Sequence, residues 1–173
     1  MKKLLILSAL LIGGAVSSFA QNYMIVNTET IFKAIPEYAA AVEEIDKLAQ
    51  QYQGNIDAAY ERIEEMYNQY MSEKASLSAA QQQGREETIL NNEKKVLEYQ
   101  ESVFGAEGII DKRRSEKLDP IQKTVMDTIA KYAKDNGYAL AFDIATNPMI
   151  IYYSPEADKT SQVTTLILQK LKQ

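Results

Sequence analysis

The chain has 173 residues and contains neither cysteine nor histidine, so disulfide bonds, thiol chemistry and the commonest metal ligand are excluded. Removing Lys2 and Lys3 with a predicted leader leaves 17 of the 19 basic residues against 24 acidic ones, a net charge of −7. This charge argues against nucleic acid as a partner. The chain has no phosphate-binding loop, metal-ligand spacing or nucleophile motif, so we predict a protein that is not an enzyme and uses no cofactor.

The first twenty residues have the pattern of a secretory signal peptide. Met1–Lys3 is basic, Leu4–Val16 is almost wholly apolar, and Ser18–Ala20 is a cleavage site with small residues at its ends. The apolar stretch is shorter than the roughly 20 residues that span a bilayer, which argues against an uncleaved membrane anchor. We therefore expect cleavage after Ala20 and export of the mature protein.

A strand-like segment, Asn22–Asn27, opens the predicted mature chain and is followed by a long helix. Apolar residues then recur at alternating steps of four and three, an unbroken heptad pattern. The pattern predicts a coiled-coil helix that begins near Pro36, ends near Leu77 and is about 60 Å long. The predicted seam consists of Tyr38, Val42, Ile45, Ala49, Tyr52, Ile56, Ala59, Ile63, Met66 and Tyr70.

A second helix is predicted to return along the first. Ser78–Gln81 is a capping box, and apolar residues then come in neighbouring pairs every seven positions. This narrow stripe suits packing against one partner helix, and Gly105 and Gly108 predict a soft point in it. The pairs are Ile89-Leu90, Val96-Leu97 and Val103-Phe104.

The C-terminal part is predicted to mix helix and strand. Pro120 should kink or restart the helix, which stops at Asn136-Gly137. Alternation from Leu140 to Ile144 and the β-rich run Met149–Tyr153, joined by a turn at 146–148, predict an antiparallel hairpin. A last helix, Lys159–Leu171, is expected to be capped by Asp158 or Thr160. Its inward residues would be Val163, Leu166, Ile167 and Leu171.

A two-stranded hairpin is marginal alone, so we expect it to pair with the strand at the mature N-terminus. The predicted fold class is therefore α+β: a small antiparallel-containing sheet body formed by both chain ends, with a long protruding antiparallel helical hairpin. The predicted boundaries are 21–35 and 118–173 for the body and 36–117 for the coiled-coil arm, with its tip near 75–80. Residues assigned to the body and to self-association are Ile25, Val26, Leu140, Phe142, Ile144, Ile151 and Tyr153.

The chain resembles the Skp/OmpH family of periplasmic chaperones. The resemblance rests on Ile25–Asn27 leading to Ile31-Phe32, on Leu118–Ile121, on Ala133–Asp143 and on the closing helix. It implies a periplasmic homotrimer whose sheets associate and whose three arms enclose a cavity for unfolded outer-membrane proteins. The best-known member is strongly basic, so the acidic charge of this chain gives no basis for lipopolysaccharide or lipid binding.

A holdase needs many weak, adaptable apolar contacts, which tyrosine and methionine supply. We assign client contact to Tyr60, Tyr67, Met71, Tyr99 and Phe104, although these residues would also widen the packing between the arm helices. The predicted function is an ATP-independent holdase. Two alternatives stay open: an exported coiled-coil adaptor with one fixed partner, and a subunit that docks on the outer-membrane assembly machinery.

Overall fold

A computed structural model describes residues 23–172, and the predicted signal peptide lies outside them. The chain divides into two compact units. The hairpin unit is Pro36–Lys123, and the described parts of the sheet unit are residues 23–35 and 124–172. The predicted boundary between residues 117 and 118 lies a few residues before the observed division at Lys123 and Thr124, and both fall inside one helix.

Seven regular elements follow one another along the described chain. They are β1 (Tyr23–Val26), α1 (Thr28–Lys33), α2 (Pro36–Glu73), α3 (Ala79–Phe104), α4 (Ile109–Asp135), β2 (Leu140–Asp143) and α5 (Thr160–Leu171). Short 3-10 turns lie at Lys74–Ser76 and Pro155–Ala157. The predicted combination of a long helical hairpin with a small sheet formed by both chain ends is confirmed.

The turn of the helical hairpin is short and capped as predicted. Helix α2 has 38 residues, which at 1.5 Å per residue gives a length of about 57 Å. At the start of α3 the Ser78 hydroxyl accepts a hydrogen bond from the Gln81 backbone N–H, and the Gln81 side chain accepts one from the Ser78 N–H at 2.9 Å. This reciprocal capping satisfies backbone donors that the first helical turn leaves unpaired, and it fixes the point at which the chain reverses.

Two apolar clusters hold the hairpin unit together along the predicted seam. In one cluster Ile56, Ile63 and Tyr70 of α2 pack with Ile89 and Val96 of α3. The other cluster contains Ala41, Ile45, Val103, Ile110 and Leu118. The heptad pattern therefore predicted the buried side of α2, because a seam that repeats every seven residues stays turned toward one neighbouring helix.

The helical break lies at the glycines and not at the proline. Helix α3 ends at Phe104 and α4 begins at Ile109. A Cβ on Gly105 would lie 2.5 Å from the Glu101 carbonyl oxygen, and one on Gly108 would lie 2.7 Å from that of Val103, so both positions need glycine. The predicted restart at Pro120 is wrong, because Pro120 lies inside α4. Buried Leu118 and Val125 on either side of it offset the lost backbone hydrogen bond.

The sheet unit contains one pair of parallel strands within the described residues. Strand β1 pairs with β2 in the register Tyr23↔Leu140 to Val26↔Asp143. Parallel pairing is possible because the connection between the two strands consists of long helices that return the chain to its starting edge. The other edge of β1 is covered by the segment before α5, where the Lys159 N–H donates to the Ile25 carbonyl at 2.9 Å.

The predicted antiparallel hairpin does not form, since Met149–Tyr153 is not a strand in the structure. The Asp143 carboxylate accepts hydrogen bonds from the Ala145 N–H at 3.0 Å and the Thr146 hydroxyl at 3.1 Å, which turns the chain directly after β2. The Asn147 side chain then accepts a hydrogen bond from the Met149 N–H at 3.1 Å. These local bonds direct the chain away from the outer edge of β2, which stays unpaired among residues 23–172.

Helix α5 closes the core of the sheet unit. Its residues Val163 and Ile167 are fully buried, as predicted, whereas Leu166 is exposed and its predicted inward position is wrong. Leu166 lies one position from Ile167, and neighbouring helix residues point about 100° apart, so both cannot face one core. The Asp158 carboxylate accepts a hydrogen bond from the Thr160 N–H at 2.8 Å at the start of the helix.

Candidate functional site

The apolar pairs of α3 are divided between the inside and the outside of the hairpin. The first members, Ile89, Val96 and Val103, are 7%, 9% and 0% exposed. The second members, Leu90, Leu97 and Phe104, are 62%, 58% and 39% exposed. Because adjacent helix residues do not share a face, the seam buries one member and leaves the other in solvent. The result is a row of large exposed apolar side chains at heptad spacing.

Helix α2 carries an equivalent exposed row. Tyr60, Tyr67 and Met71 are all exposed, and each directly follows a residue of the predicted seam. The intervals of seven and four residues place the three side chains on one side of the helix. Near the turn, Tyr67 and Met71 line the same open groove of about 350 Å³ as Leu90. We call the two rows the apolar face: Tyr60, Tyr67, Met71, Leu90, Leu97 and Phe104.

Tyr99 is separated from the apolar face. Its ring lies edge-on to that of Tyr52 at 6.3 Å between centroids, and Tyr52 is a half-buried seam residue. Leu97 and Tyr99 are two positions apart, so they do not point the same way. Four of the five residues predicted for client contact therefore lie on one side of the hairpin helices, whereas Tyr99, which is 38% exposed, lies on another side against Tyr52.

Leu90 and Leu97 were missed as site residues, although both are among the most exposed leucines of the described chain. The signal in the sequence was the pairing of adjacent apolar residues every seven positions. A helix that packs against one neighbour has a single buried stripe, so two adjacent apolar residues cannot both lie in it. The pairing itself indicated that one residue of each pair would face solvent.

A polar cluster lies at the end of the groove nearest the turn. The Tyr70 hydroxyl donates a hydrogen bond to the Glu86 carboxylate, and the Lys74 ammonium lies 3.4 Å from the same carboxylate and 5.1 Å from the centre of the Tyr70 ring. The hydrogen bond from Tyr70, and then that from Lys74, lowers the pKa of Glu86. Arg85 and Glu73 form a further ion pair at 3.3 Å. These contacts tie α2 to α3 beside the groove.

The residues predicted for self-association occupy two different environments in the sheet unit. Ile25 and Val26 are buried in the unit's own core, and Ile144 and Tyr153 are half-buried. The exposed members lie on β2 and on the irregular segment after it, where further large apolar side chains are exposed as well. The exposed set is Leu140, Phe142, Met149, Ile151 and Tyr152.

Asp143 has a structural role that links β2 to α1. Its carboxylate accepts hydrogen bonds from the Thr28 N–H at 3.0 Å and from the Thr28 hydroxyl at 2.6 Å, besides those from Ala145 and Thr146. Partial burial is the largest influence and raises the pKa of Asp143, but the four hydrogen bonds together outweigh it, so the pKa is lowered. The carboxylate is therefore kept ionised as an acceptor at the start of α1.

Neither a metal-binding cluster nor a membrane-spanning helix is seen in the described part of the chain. Across residues 23–172, no group of three or more acidic side chains is placed to hold a metal ion. No helix in this range has the length and apolar character needed to cross a membrane. Large exposed apolar surfaces are thus the chief candidates for function, and they lie on the hairpin helices and on the sheet unit.

Comparisons with known proteins agree with the resemblance noted in the sequence. A family model described as outer membrane protein (OmpH-like) matches residues 22–167. The crystal structure of a candidate outer membrane chaperone (OmpH-like) from Caulobacter crescentus CB15 is similar in fold, with a TM-score of 0.64 and 10% sequence identity. The match covers 92% of this chain and 90% of that one. No curated protein matches this chain in sequence.

Proposed function

Because the chain belongs to the OmpH-like family, we propose that it is a periplasmic holdase that binds unfolded outer-membrane proteins and prevents their aggregation without ATP. The observation that carries the proposal is the apolar face. It leaves large side chains in solvent at heptad intervals on both hairpin helices, whereas a helix that serves only as a spacer needs a buried seam alone. The candidate OmpH-like chaperone from Caulobacter crescentus CB15 has the same fold, which is consistent with this assignment.

The apolar face suits clients that have no fixed structure. If a client segment covers a further 40–50 Å² of one such side chain, the contact contributes about 1 kcal/mol. Several contacts of this size hold an unfolded chain, yet each one breaks easily. Tyrosine and methionine accept varied neighbours, since tyrosine has both apolar and polar parts and methionine is flexible. A client that buries its own apolar surface elsewhere is then released without any energy source.

We extend the proposal to a homotrimer formed through the sheet unit. Among the described residues, the outer edge of β2 has no partner strand, and Ile151, in the irregular segment that follows β2, is 98% exposed. An open strand edge next to exposed apolar side chains favours association with other copies. The number three comes from the family resemblance. In such an assembly several hairpins, each with its own apolar face, would act on one client.

Dilution of a urea-denatured β-barrel membrane protein into buffer tests the holdase function. The purified protein in several-fold molar excess should suppress the rise in light scattering. The double variant Leu90→Gln with Leu97→Gln should lose most of this suppression. A matched control, Thr88→Ala with Asn91→Ala, changes two exposed residues of the same helix outside the apolar face and should act like the wild type.

An unchanged rise in scattering with the wild type would refute the holdase function and leave the fixed-partner adaptor as the better hypothesis. Full suppression by the leucine variant would instead refute the apolar face as the client site. Circular dichroism of each variant shows whether the helices are retained. Because Leu90 and Leu97 are more than half exposed, their replacement should leave the helical signal intact.

A further inference from the structure

The net negative charge of the mature chain lies in the hairpin unit. Within Pro36–Lys123 there are 18 acidic and 11 basic residues, a net charge of −7. The described parts of the sheet unit contain six acidic and six basic residues, which balance. The charge is therefore concentrated on the unit that carries the apolar face, and it bears on what that face can bind.

Carboxylates alternate with the apolar side chains along the face itself. Glu64 lies four residues after Tyr60 and three before Tyr67. Glu93 likewise lies between Leu90 and Leu97, three residues after the first and four before the second. Residues three or four apart are neighbours on a helix surface, so each carboxylate lies between two apolar side chains. Three further carboxylates lie three or four residues from a member of the apolar face: Asp57, Glu86 and Glu101.

The groove near the turn contains both kinds of side chain. Glu86 and Glu93 line it together with Tyr67, Met71 and Leu90. Glu86 is already paired with Lys74. Glu93 is half-buried in the groove and forms no ion pair with any residue in the range 23–172. An occupant of this groove thus meets an apolar surface and an uncompensated carboxylate within it.

Most basic side chains of this region already form ion pairs with carboxylates of the hairpin unit. Between residues 57 and 107 the basic side chains are Arg62, Lys74, Arg85, Lys94 and Lys95. Three of them, Lys74, Arg85 and Lys94, form ion pairs within the hairpin. Lys94 also flanks Leu90 and Leu97, but its ammonium is paired with the carboxylate of the residue four positions on, at 3.7 Å. The remaining carboxylates of the face therefore dominate its local charge.

We propose that the apolar face selects unfolded segments in which lysine or arginine side chains stand among apolar ones. This inference rests on the proposed holdase function and specifies the class of segment that is held. The aliphatic stems of lysine and arginine pack on tyrosine and leucine, and their charged ends reach carboxylates one helical turn away. Acidic segments meet like charges on the same face and bind less well.

Three unfolded peptides that share one set of apolar residues and differ at four positions test this selection. The four positions carry lysine, glutamine or glutamate, and binding to the purified protein is followed by fluorescence anisotropy. At about 0.02 M salt the lysine peptide should bind about fivefold or more tightly than the glutamine peptide, as expected of a few exposed charge pairs. At about 0.3 M salt, where the screening length is several ångströms, the difference should shrink.

Two double variants with the same change in net charge locate the effect. Glu64→Gln with Glu93→Gln removes carboxylates of the apolar face, and Glu61→Gln with Glu65→Gln removes exposed carboxylates from the outer side of α2. The first variant should lose most of the preference for lysine and bind the glutamine peptide as before. The second should retain the preference.

Equal binding of the lysine and glutamate peptides would overturn the inference while leaving the holdase function in place. Equal loss of preference in the two variants would assign the effect to the charge of the whole hairpin and overturn its assignment to the face. If no peptide binds and no denatured client is held, the proposed function itself fails. The three failures are thus distinguished by the same set of measurements.

Discussion

Replacing each member of one heptad pair separately tests the division of α3 into a buried and an exposed row. Ile89 is buried against α2, whereas Leu90 is largely in solvent. Isoleucine-to-alanine changes in well-packed cores cost 2–5 kcal/mol. A seam between only two helices can partly close over the lost methyl groups, so we expect about 2 kcal/mol for Ile89→Ala. For Leu90→Ala we expect less than about 0.5 kcal/mol.

Urea unfolding followed by circular dichroism measures the difference. With a slope of about 2 kcal/mol per molar urea, Ile89→Ala should lower the midpoint by about 1 M and Leu90→Ala by less than about 0.25 M. Client capture should show the reverse order. Loss of the Leu90 contact weakens binding about fivefold, since it removes about 1 kcal/mol of apolar burial. Protein concentration is kept constant because association alters apparent stability.

Equal midpoint shifts for the two variants would refute this reasoning. They would mean that Leu90 is buried in solution, and the exposed row on α3 would then be part of a packing interface. Client capture should also be unaffected by Ile89→Ala at urea concentrations where this variant is still folded. A loss of capture under those conditions would contradict the assignment of capture to the second member of the pair.

Three further predictions concern the sheet unit and the helical break. Partial burial raises the pKa of Asp143, but the hydrogen bonds to its carboxylate outweigh burial and hold the pKa below its ordinary value. The ionised carboxylate therefore stabilises the fold at pH values above the ordinary pKa, and this contribution is lost as the pH falls through the lowered pKa. Asp143→Asn should lower the urea midpoint at pH 7 and flatten its change between about pH 5 and about pH 3; an unaltered pH profile would contradict this. Gly108→Ala should lower the free energy of unfolding by about 1–3 kcal/mol, and with it the melting temperature, because the added Cβ would lie too close to backbone atoms. Gly54→Ala, in open space within α2, should raise the melting temperature slightly. Ile151→Lys should reduce the sedimentation coefficient with little loss of helical signal, and an unchanged coefficient would argue against association through this segment.

The helical hairpin was largely predictable because its pattern is long and regular. The seam from Tyr38 to Tyr70 repeats without interruption, and the capping box at Ser78 lies where the chain must reverse. Both signals depend on residues near one another in the chain. The break at Gly105 and Gly108 was anticipated as a weak point, but the competing expectation at Pro120 was wrong because tertiary packing carries α4 through it.

The candidate site was predicted in part, for a similar reason. Exposed tyrosines beside the seam of α2 were recognised from their position next to heptad residues. Leu90 and Leu97 were not, since an apolar pair gives no local sign of which member faces the neighbouring helix. Tyr99 was assigned to the same group, yet its contact with Tyr52 depends on how α2 and α3 are aligned.

The amino-acid sequence alone determined the two helices of the hairpin, the capping box at their reversal and the meeting of the two chain ends, because these follow from local spacing and from the lack of any other predicted strand to pair with. Only the tertiary structure decided that β1 and β2 run parallel and that Met149–Tyr153 stays outside the sheet. Strand direction and pairing depend on which edges are free once distant segments have met. Here the chain before α5 covers one edge of β1, and the hydrogen bonds of Asp143 turn the chain away from β2.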